Sequence, residues 1–217
     1  MVEPGRSAPA YYPQRRITGW LLAGGHSRRL GGRDKGLLRV GGQTMIEYAI
    51  RNIQPFTANI GISANQNLTR YAFYGSPVFP DEGSASHGPM SGIRTGLNFT
   101  RKDFLLVMGV DHIGVPGVSA LFLYKALRRH DAEAAVLCIE GRPIWTAALL
   151  RARLRNLLPT FGDNGDYRLG RWFESRHTVY VHDPFPASRI PYNINNPDQL
   201  RRARAVFRAA KMHECKT

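Results

Sequence analysis

The feature that most constrains the fold of this chain is a series of short apolar runs separated by stretches with helical spacing. The runs have the length of strands, and they are apolar throughout instead of at alternate positions. They are ITGWLLA (17–23), ANIGISA (58–64), SPVFP (76–80), DFLLVMGVD (103–111), AEAAVLCIE (132–140) and TVYVHD (178–183). Strands of this kind are buried on both faces, which is typical of a parallel sheet covered by helices.

The segments between these runs supply the helices. TMIEYAIRNI begins at Thr44, a favourable N-cap, and the closing segment has Asn196 as a candidate cap and Pro197 at the first helical position. Two further helices are predicted in MSGIRTGLNF (90–99) and GVSALFLYKALRRH (117–130). We therefore predict a three-layer α/β/α fold around a Rossmann-like, mostly parallel sheet.

The domain organisation follows from the N-terminal composition. Residues 1–16 contain three prolines and no strand or helix period, which predicts a flexible tail. Residues 17–217 form one predicted domain, long enough to bury a core.

The charge balance limits the partners. Thirty Lys and Arg against 16 Asp and Glu give a formal net charge of +14, which attracts polyanions without choosing among nucleic acid, nucleotides and phosphorylated cofactors. The two cysteines, Cys138 and Cys215, are too few for a disulfide framework or a zinc site. No apolar run approaches the roughly 20 residues that cross a bilayer. We expect a protein of the cytoplasm without membrane insertion.

One loop concentrates glycine and positive charge. LLAGGHSRRLGGRDKGLL (21–38) follows the first predicted strand, and ligands of α/β folds bind beyond the carboxyl ends of strands. Its glycines let backbone N–H groups approach an anion, and Arg28, Arg29 and Lys35 supply charge for phosphates. The loop matches neither the P-loop nor the dinucleotide fingerprint. A glycine-rich turn with a solvated basic rim is the alternative.

The same loop resembles the signature L-A-G-G-x-S-x-R-M-G-x-x-D-K of the nucleoside-triphosphate transferases. Its two glycines before x-D-K resemble the molybdenum cofactor guanylyltransferases, the MobA family. Four later segments resemble motifs of that family in the same order: VFPDE (78–82), HGPMSGIRTGL (87–97), LLVMGVDHIGVP (105–116) and YNINNPDQL (192–200). The resemblance runs from about residue 17 to the final helix.

The resemblance implies a nucleotidyltransferase that moves GMP from GTP to the terminal phosphate of molybdopterin, releases pyrophosphate and uses Mg²⁺. GTP and molybdopterin are then the small-molecule partners. Other proteins of molybdenum cofactor synthesis and molybdoenzyme chaperones are candidate protein partners. DNA and RNA are not expected.

The resemblance also assigns residues. The catalytic residues would be Arg29, Lys35 and Asp111, with Asp111 as the metal ligand. The GTP-binding residues would be Leu22, Ala23, Gly24, Gly25, Lys35, Ser63, Asn65, Asp81, Gly88 and Asp111. The acceptor-binding residues would be Arg142, Arg168, Asn193 and Asn195. Several have a simpler alternative: a turn or cap for the aspartates and asparagines, a turn entering a helix for Gly88, and a surface helix for Arg168.

Three departures from the family pattern keep other functions open. The triplet ending in Asp111 begins with Gly109 and Val110, Ser63 stands where the family has asparagine, and Arg142 replaces a histidine before Pro143. One alternative is transfer from CTP, or to a sugar or polyol phosphate. The other is a catalytically silent basic protein that binds nucleotides or nucleic acid, against which the retention of Arg29, Lys35 and Asp111 speaks.

Overall fold

In the computed structural model, the described residues are 12–24, 30–81, 88–158, 167–183 and 190–214, with only the backbone described from 210 onward. The strands are β1 (Ile17–Leu22), β2 (Arg39–Val40), β3 (Gln43–Thr44), β4 (Asn59–Ser63), β5 (Val78–Phe79), β6 (Phe104–Gly109), β7 (Ala134–Ile139), β8 (Arg142–Arg151) and β9 (Thr178–His182). The helices are α1 (Met45–Ile53), α2 (Leu68–Ala72), α3 (Pro89–Phe99), α4 (Ser119–Arg129), α5 (Leu169–Glu174) and α6 (Pro197–Glu214).

Seven of these strands form one sheet in the order β5-β4-β1-β6-β8-β7-β9. β8 runs antiparallel to both of its neighbours, whereas the other pairings are parallel. The mostly parallel α/β sheet predicted from the apolar runs is confirmed. The strand β8 was not among the predicted runs: it returns from β7 through a two-residue turn, Glu140 and Gly141, both with positive φ.

Two apolar layers enclose the sheet, one on each face. Side chains of successive strand residues point to opposite faces. Accordingly Leu106 and Met108 of β6 pack in the layer that contains α1 and α4, whereas Leu105 and Val107 pack in the layer that contains α3 and α5. The three-layer arrangement is thereby confirmed.

The helix N-termini follow their sequence signals. The Thr44 side chain accepts a hydrogen bond from the Glu47 N–H, and the Glu47 carboxylate accepts from the Thr44 N–H at 2.6 Å, which forms a capping box for α1. Asn196 caps α6 by accepting from the Gln199 N–H at 2.9 Å. Both caps agree with the sequence predictions.

The last residues of the predicted tail pack on the domain. Tyr12 is buried and lies edge-on to Phe56 and Tyr124, with ring centroids 6.0 and 5.5 Å away. A short 3₁₀ helix, Gln14–Arg16, then leads into β1. Among the described parts of the chain, no helix has both the length and the hydropathy to cross a bilayer.

Candidate active site

The candidate site lies at the carboxyl edge of the sheet, where β4, β1 and β6 end side by side. Leu22 pairs with Ser63 on one side and with Gly109 on the other. After β1 the chain builds β4 and β5 on one side and then returns to β6 on the other, so β1 and β6 flank a topological switch point. Such a point opens a crevice for a ligand.

The backbone of the predicted nucleotide loop begins as a continuation of this sheet. The N–H of Ala23 donates to the Ser63 carbonyl at 2.8 Å, and the Leu22 carbonyl accepts from the Val110 N–H at 3.2 Å. These two groups therefore position the strand end. Gly24 follows at a tight point, since a Cβ there would lie 3.1 Å from Asn65 Nδ2 and 3.4 Å from Asp81 Oδ2.

The centre of the site joins three distant parts of the chain. Lys35 Nζ donates to Asp111 Oδ2 at 3.0 Å, and it also donates to Asn195 Oδ1. The side chains of Lys35 and Asp111 are 18% and 19% exposed, so both are accessible to a ligand although they are paired. Three of the predicted residues therefore converge. A lysine ammonium has three N–H donors, which leaves one beyond the two bonds described.

Lys35 is positioned by the residue that precedes it. Asp34 caps the 3₁₀ helix Lys35–Leu37 by accepting from the Gly36 N–H, and it also accepts from Asn67 Nδ2 at 2.9 Å and from the Tyr71 hydroxyl. Burial raises the pKa of the Tyr71 hydroxyl, and its bond to the Asp34 carboxylate raises it further. Asp34 was not predicted as a site residue, although its place directly before Lys35 in the signature was a usable signal.

A second polar group surrounds Asp81. Its two carboxylate oxygens accept from Ser63 Oγ and, at 2.8 Å, from Asn65 Nδ2, while its own N–H donates to Asn65 Oδ1 at 2.9 Å. The structure thus brings together the three predicted residues Ser63, Asn65 and Asp81. A Cβ on Gly92 of α3 would lie 2.8 Å from Ser63 Oγ, so glycine lets α3 approach this group.

The segment after β6 connects the site to β8 and to the asparagine segment. His112 is buried, and its Nε2 lies 2.6 Å from Thr146 Oγ1 of β8. The Ile194 N–H donates to the Asp111 carbonyl at 3.1 Å, which ties the asparagine segment to the metal-ligand candidate. Asn193 Oδ1 is buried with no hydrogen-bond partner among the described residues. The sequence did not predict the His112–Thr146 contact, because Thr146 lies on the unpredicted strand.

Of the remaining predicted residues, two lie outside the part of the chain that the structure describes and three lie within it. Gly25 and Arg29 lie outside the described residues. Gly88 is the N-cap of α3 with φ 59°, a conformation that favours glycine. Arg142 begins β8 at the carboxyl edge, Arg168 is the N-cap of α5, and both are exposed. Neither arginine takes part in the hydrogen bonds described above for Lys35, Asp111 and Asp81.

The side chains of the site could supply only some of the ligands of a metal ion, and the substrate would have to supply others. No group of three or more His, Cys, Asp or Glu that could hold a metal exists within the described ranges. Asp111 Oδ2 accepts a hydrogen bond from Lys35, whereas Oδ1 lies 3.9 Å from His112 Nε2, beyond hydrogen-bond distance. One carboxylate oxygen thus remains for an ion. Mg²⁺ is commonly held by one or two carboxylates together with substrate phosphates, so the residues fit that ion.

A lysine–carboxylate pair at the switch point of a three-layer α/β sheet suits the handling of a nucleoside triphosphate. The chain is of the nucleotidyltransferase class. The family model of the MobA-like NTP transferase domain matches residues 19–179, and the chain belongs to that family.

Proteins with similar sequences and structures agree with this family assignment. A molybdenum cofactor guanylyltransferase of Shewanella loihica is 37% identical over 179 residues, which cover 82% of this chain and 91% of that protein. A second one, from Shewanella sp., is 36% identical over 186 residues, covering 85% and 93%. The crystal structure of molybdopterin-guanine dinucleotide biosynthesis protein A from Archaeoglobus fulgidus shares the fold, with a TM-score of 0.70, 21% identity and coverage of 88% and 99%.

Proposed function

We propose that the protein transfers GMP from GTP to the terminal phosphate of molybdenum-bound molybdopterin. The names of relatives that match over most of the chain support this reaction. The observation that carries the proposal is the bonding of one lysine ammonium, Lys35, to both Asp111 and Asn195 at the carboxyl edge of the sheet. This geometry puts a cation, a carboxylate and an amide at one point, where two phosphates and a metal ion can meet.

The reaction needs no general base. A phosphate oxygen of the acceptor already carries negative charge and attacks the α-phosphorus of GTP. The new oxygen–phosphorus bond forms as the bond from the α-phosphorus to the bridging oxygen breaks, and pyrophosphate leaves with the electron pair. Catalysis then consists of holding two anions together and stabilising the charge on the phosphoryl oxygens.

Lys35 has the position to do this. Its two described bonds fix the ammonium, and its third N–H remains for a phosphate oxygen. Because Asp34 is held by Tyr71 and Asn67, the turn that carries Lys35 is set before substrate binds. Arg29 is proposed, from the family signature, as a second cation on the triphosphate.

Asp111 would hold Mg²⁺ through its carboxylate. When bound, the ion would neutralise phosphate charge at the reacting centre. The Ile194 N–H bonded to the Asp111 carbonyl fixes the backbone of this ligand.

The Asp81 group is proposed to hold the nucleoside part of GTP. Ser63 and Asn65 already orient both oxygens of its carboxylate, and Gly24 lies against Asn65 and Asp81. Leu22 and Gly88 are proposed for the same set from the family signature. On the acceptor side we propose Asn193, Asn195, Arg142 and Arg168. The Oδ1 of Asn193, which is buried and has no hydrogen-bond partner in the described part of the chain, supports its part in this set.

The direct test is an assay with α-³²P-labelled GTP, Mg²⁺ and molybdenum-bound molybdopterin. We expect label in the dinucleotide product, pyrophosphate released in equal amount, and little product from CTP or ATP. Asp111→Asn should lower the rate by about 100-fold or more, the usual effect of removing one stabilising group.

The matched control is Asp131→Asn. Asp131 is an exposed carboxylate with φ 45°, a conformation that asparagine tolerates, and it lies far from the carboxyl edge, at the start of β7. It should retain the wild-type rate. Equal use of the three nucleotides, or equal rates for the two variants, contradicts the proposal.

A further inference from the structure

A strongly basic cleft lies at the opposite edge of the sheet from the candidate active site. It is a cavity of about 390 Å³ where β1 and β6 begin and β8 ends. Of the residues that the structure describes, one carboxylate lines it, that of Asp103, and six cationic side chains: Arg16, Lys102, Arg128, Arg151, Arg153 and Arg155. We call it the amino-edge cleft. β1 alone separates the two edges by about 20 Å, given about 3.3 Å per strand residue.

Two of its arginines are fixed by main-chain carbonyls. Arg155 donates from Nε to Ala152 and from an Nη to Thr100, each at 3.1 Å. Arg151 donates from Nε to the Ala132 carbonyl at 2.8 Å and pairs with Asp131. The Arg151 side chain is only 17% exposed. These bonds hold the guanidinium planes in place and leave further N–H groups on each, the arrangement that recognises phosphate oxygens in pairs.

The charge of the amino-edge cleft is only partly balanced. Arg16 pairs with Asp103, and Arg153 lies 3.9 Å from Glu133. Lys102 and Arg155 have no ion pair among the described residues. Arg128 lies in the last turn of α4 and Arg155 in the last turn of the 3₁₀ helix Ala152–Leu157, where each complements the helix dipole, but Lys102 and Arg153 have no such role. Like charges placed around one concavity repel each other, so an anion that enters it is stabilised.

We propose that the amino-edge cleft is a second binding site, for a small anion with two or more linked phosphates. The volume suits a ligand of that size, and cavities of about 300–1,000 Å³ are typical of small-molecule sites. The ligand is either free pyrophosphate or the phosphate tail of a nucleotide, which share this chemistry. The site is separate from the transfer reaction and does not depend on the proposed function.

The test is calorimetric titration with inorganic pyrophosphate at about 0.15 M salt, where the Debye length is about 8 Å, without Mg²⁺. The protein carries Lys35→Met, which removes the ammonium that bonds Asp111 and Asn195 at the carboxyl edge. Lys102→Gln combined with Arg153→Gln then removes two exposed cations of the cleft. Because a hydrogen bond to a charged group contributes about 1.5–3 kcal/mol, we expect affinity to fall at least about tenfold.

The matched control is Arg202→Gln combined with Arg208→Gln, which removes the same charge from exposed positions of α6. It should change affinity less than about twofold, as for distant charges screened by salt. Equal losses in the two pairs overturn the proposal, because they show attraction by net charge alone. If the Lys35→Met protein binds no pyrophosphate, the proposal is also overturned.

Two further arms identify the ligand. Competition by GTP for the pyrophosphate site supports a nucleotide tail as the source, and its absence supports free pyrophosphate. A decaglutamate peptide that binds where pyrophosphate does not would overturn the small-anion site in favour of a surface for an acidic protein. Arg155→Lys keeps the charge but not the planar fork, so a loss of pyrophosphate affinity there supports recognition by geometry.

Discussion

The two edges of the sheet differ in how completely their charges are paired. At the carboxyl edge, cations and carboxylates contact each other directly, as Lys35 does Asp111, although they are 76 residues apart in the chain. At the amino edge, Arg151 and Arg155 donate to main-chain carbonyls, and six cations share a cavity with one carboxylate. The first edge is electrostatically preassembled for a reaction. The second has ion pairs at Arg16 and Arg151, but its Lys102 and Arg155 have none among the described residues.

The sharpest way to break this comparison is Lys35→Met. Loss of the ammonium should lower kcat of guanylyl transfer by about 100- to 1,000-fold, because it removes a group that stabilises developing charge. Steady-state kinetics with the labelled-GTP assay measure it. Lys125→Met, an exposed position on α4, is the control and should leave kcat unchanged. A fall in kcat, or a rise in KM, of similar size in both variants would mean that Lys35 acts through net charge only.

Asp34→Ala tests whether the hydrogen bonds of Asp34 to Tyr71 and Asn67 stabilise the turn that carries Lys35. The buried Tyr71 hydroxyl would lose its acceptor, and an unsatisfied buried group costs about 1–3 kcal/mol of unfolding free energy. Urea denaturation measures the loss. Tyr71→Phe in the Asp34→Ala protein should recover part of it, since no hydroxyl remains to be satisfied. No recovery would show that the unsatisfied Tyr71 hydroxyl is not the source of the loss.

Glu47→Gln tests a smaller contribution at the start of α1. The Thr44 N–H, by donating to the carboxylate, holds the pKa of Glu47 below its usual value. A carboxyl with a lowered folded-state pKa stabilises the protein above the unfolded value of about 4.3, and this stabilisation is lost as the pH falls through the folded pKa.

The unfolding free energy of the wild type should therefore exceed that of Glu47→Gln by about 0.5 kcal/mol at pH 7, as expected for a partly exposed capping residue. The difference should shrink below about pH 4.3, since the wild-type carboxyl is then protonated. Thermal unfolding measured from pH 7 to pH 3 gives the comparison. A difference that is constant across this range would assign the effect to shape and not to charge.

The smallest effect is expected at the amino edge. Arg16 and Asp103 form an ion pair with side chains 64% and 49% exposed. Arg16→Ala should change the unfolding free energy by about 0.5 kcal/mol or less, because solvent screens such pairs. Denaturation at low and high salt measures it. A loss above about 1 kcal/mol would show that this edge, too, is held together by its charges, and the comparison would fail.

The parts of the fold that local sequence patterns specify could be predicted from the sequence. Apolar runs located β1, β4, β6, β7 and β9, and the residues at Thr44 and Asn196 marked helix starts. The strand β8 escaped prediction because its turn, Glu140–Gly141, lacks the asparagine or aspartate typical of such hairpins, and because Arg142 and Pro143 begin it.

The site was partly predictable for a similar reason. The signature around Lys35 and the strand end at Asp111 placed both at one edge, and the structure brings them within 3.0 Å of each other. The bonds of Asp34 to Tyr71 and of His112 to Thr146 join residues 37 and 34 positions apart. No local pattern encodes such pairs, since tertiary packing alone brings them together.

The place of β8 also has a consequence for the growing polypeptide. β8 lies between β6 and β7 in the sheet but follows both in the chain, so one edge of β6 stays unpaired until residue 151 has been synthesised. An apolar strand with a free edge is prone to pair with other chains. We expect the β7–β8 hairpin to form first, because its turn is local, and then to dock on β6 as a unit. A ribosome-bound chain that stops before residue 142 would expose that edge.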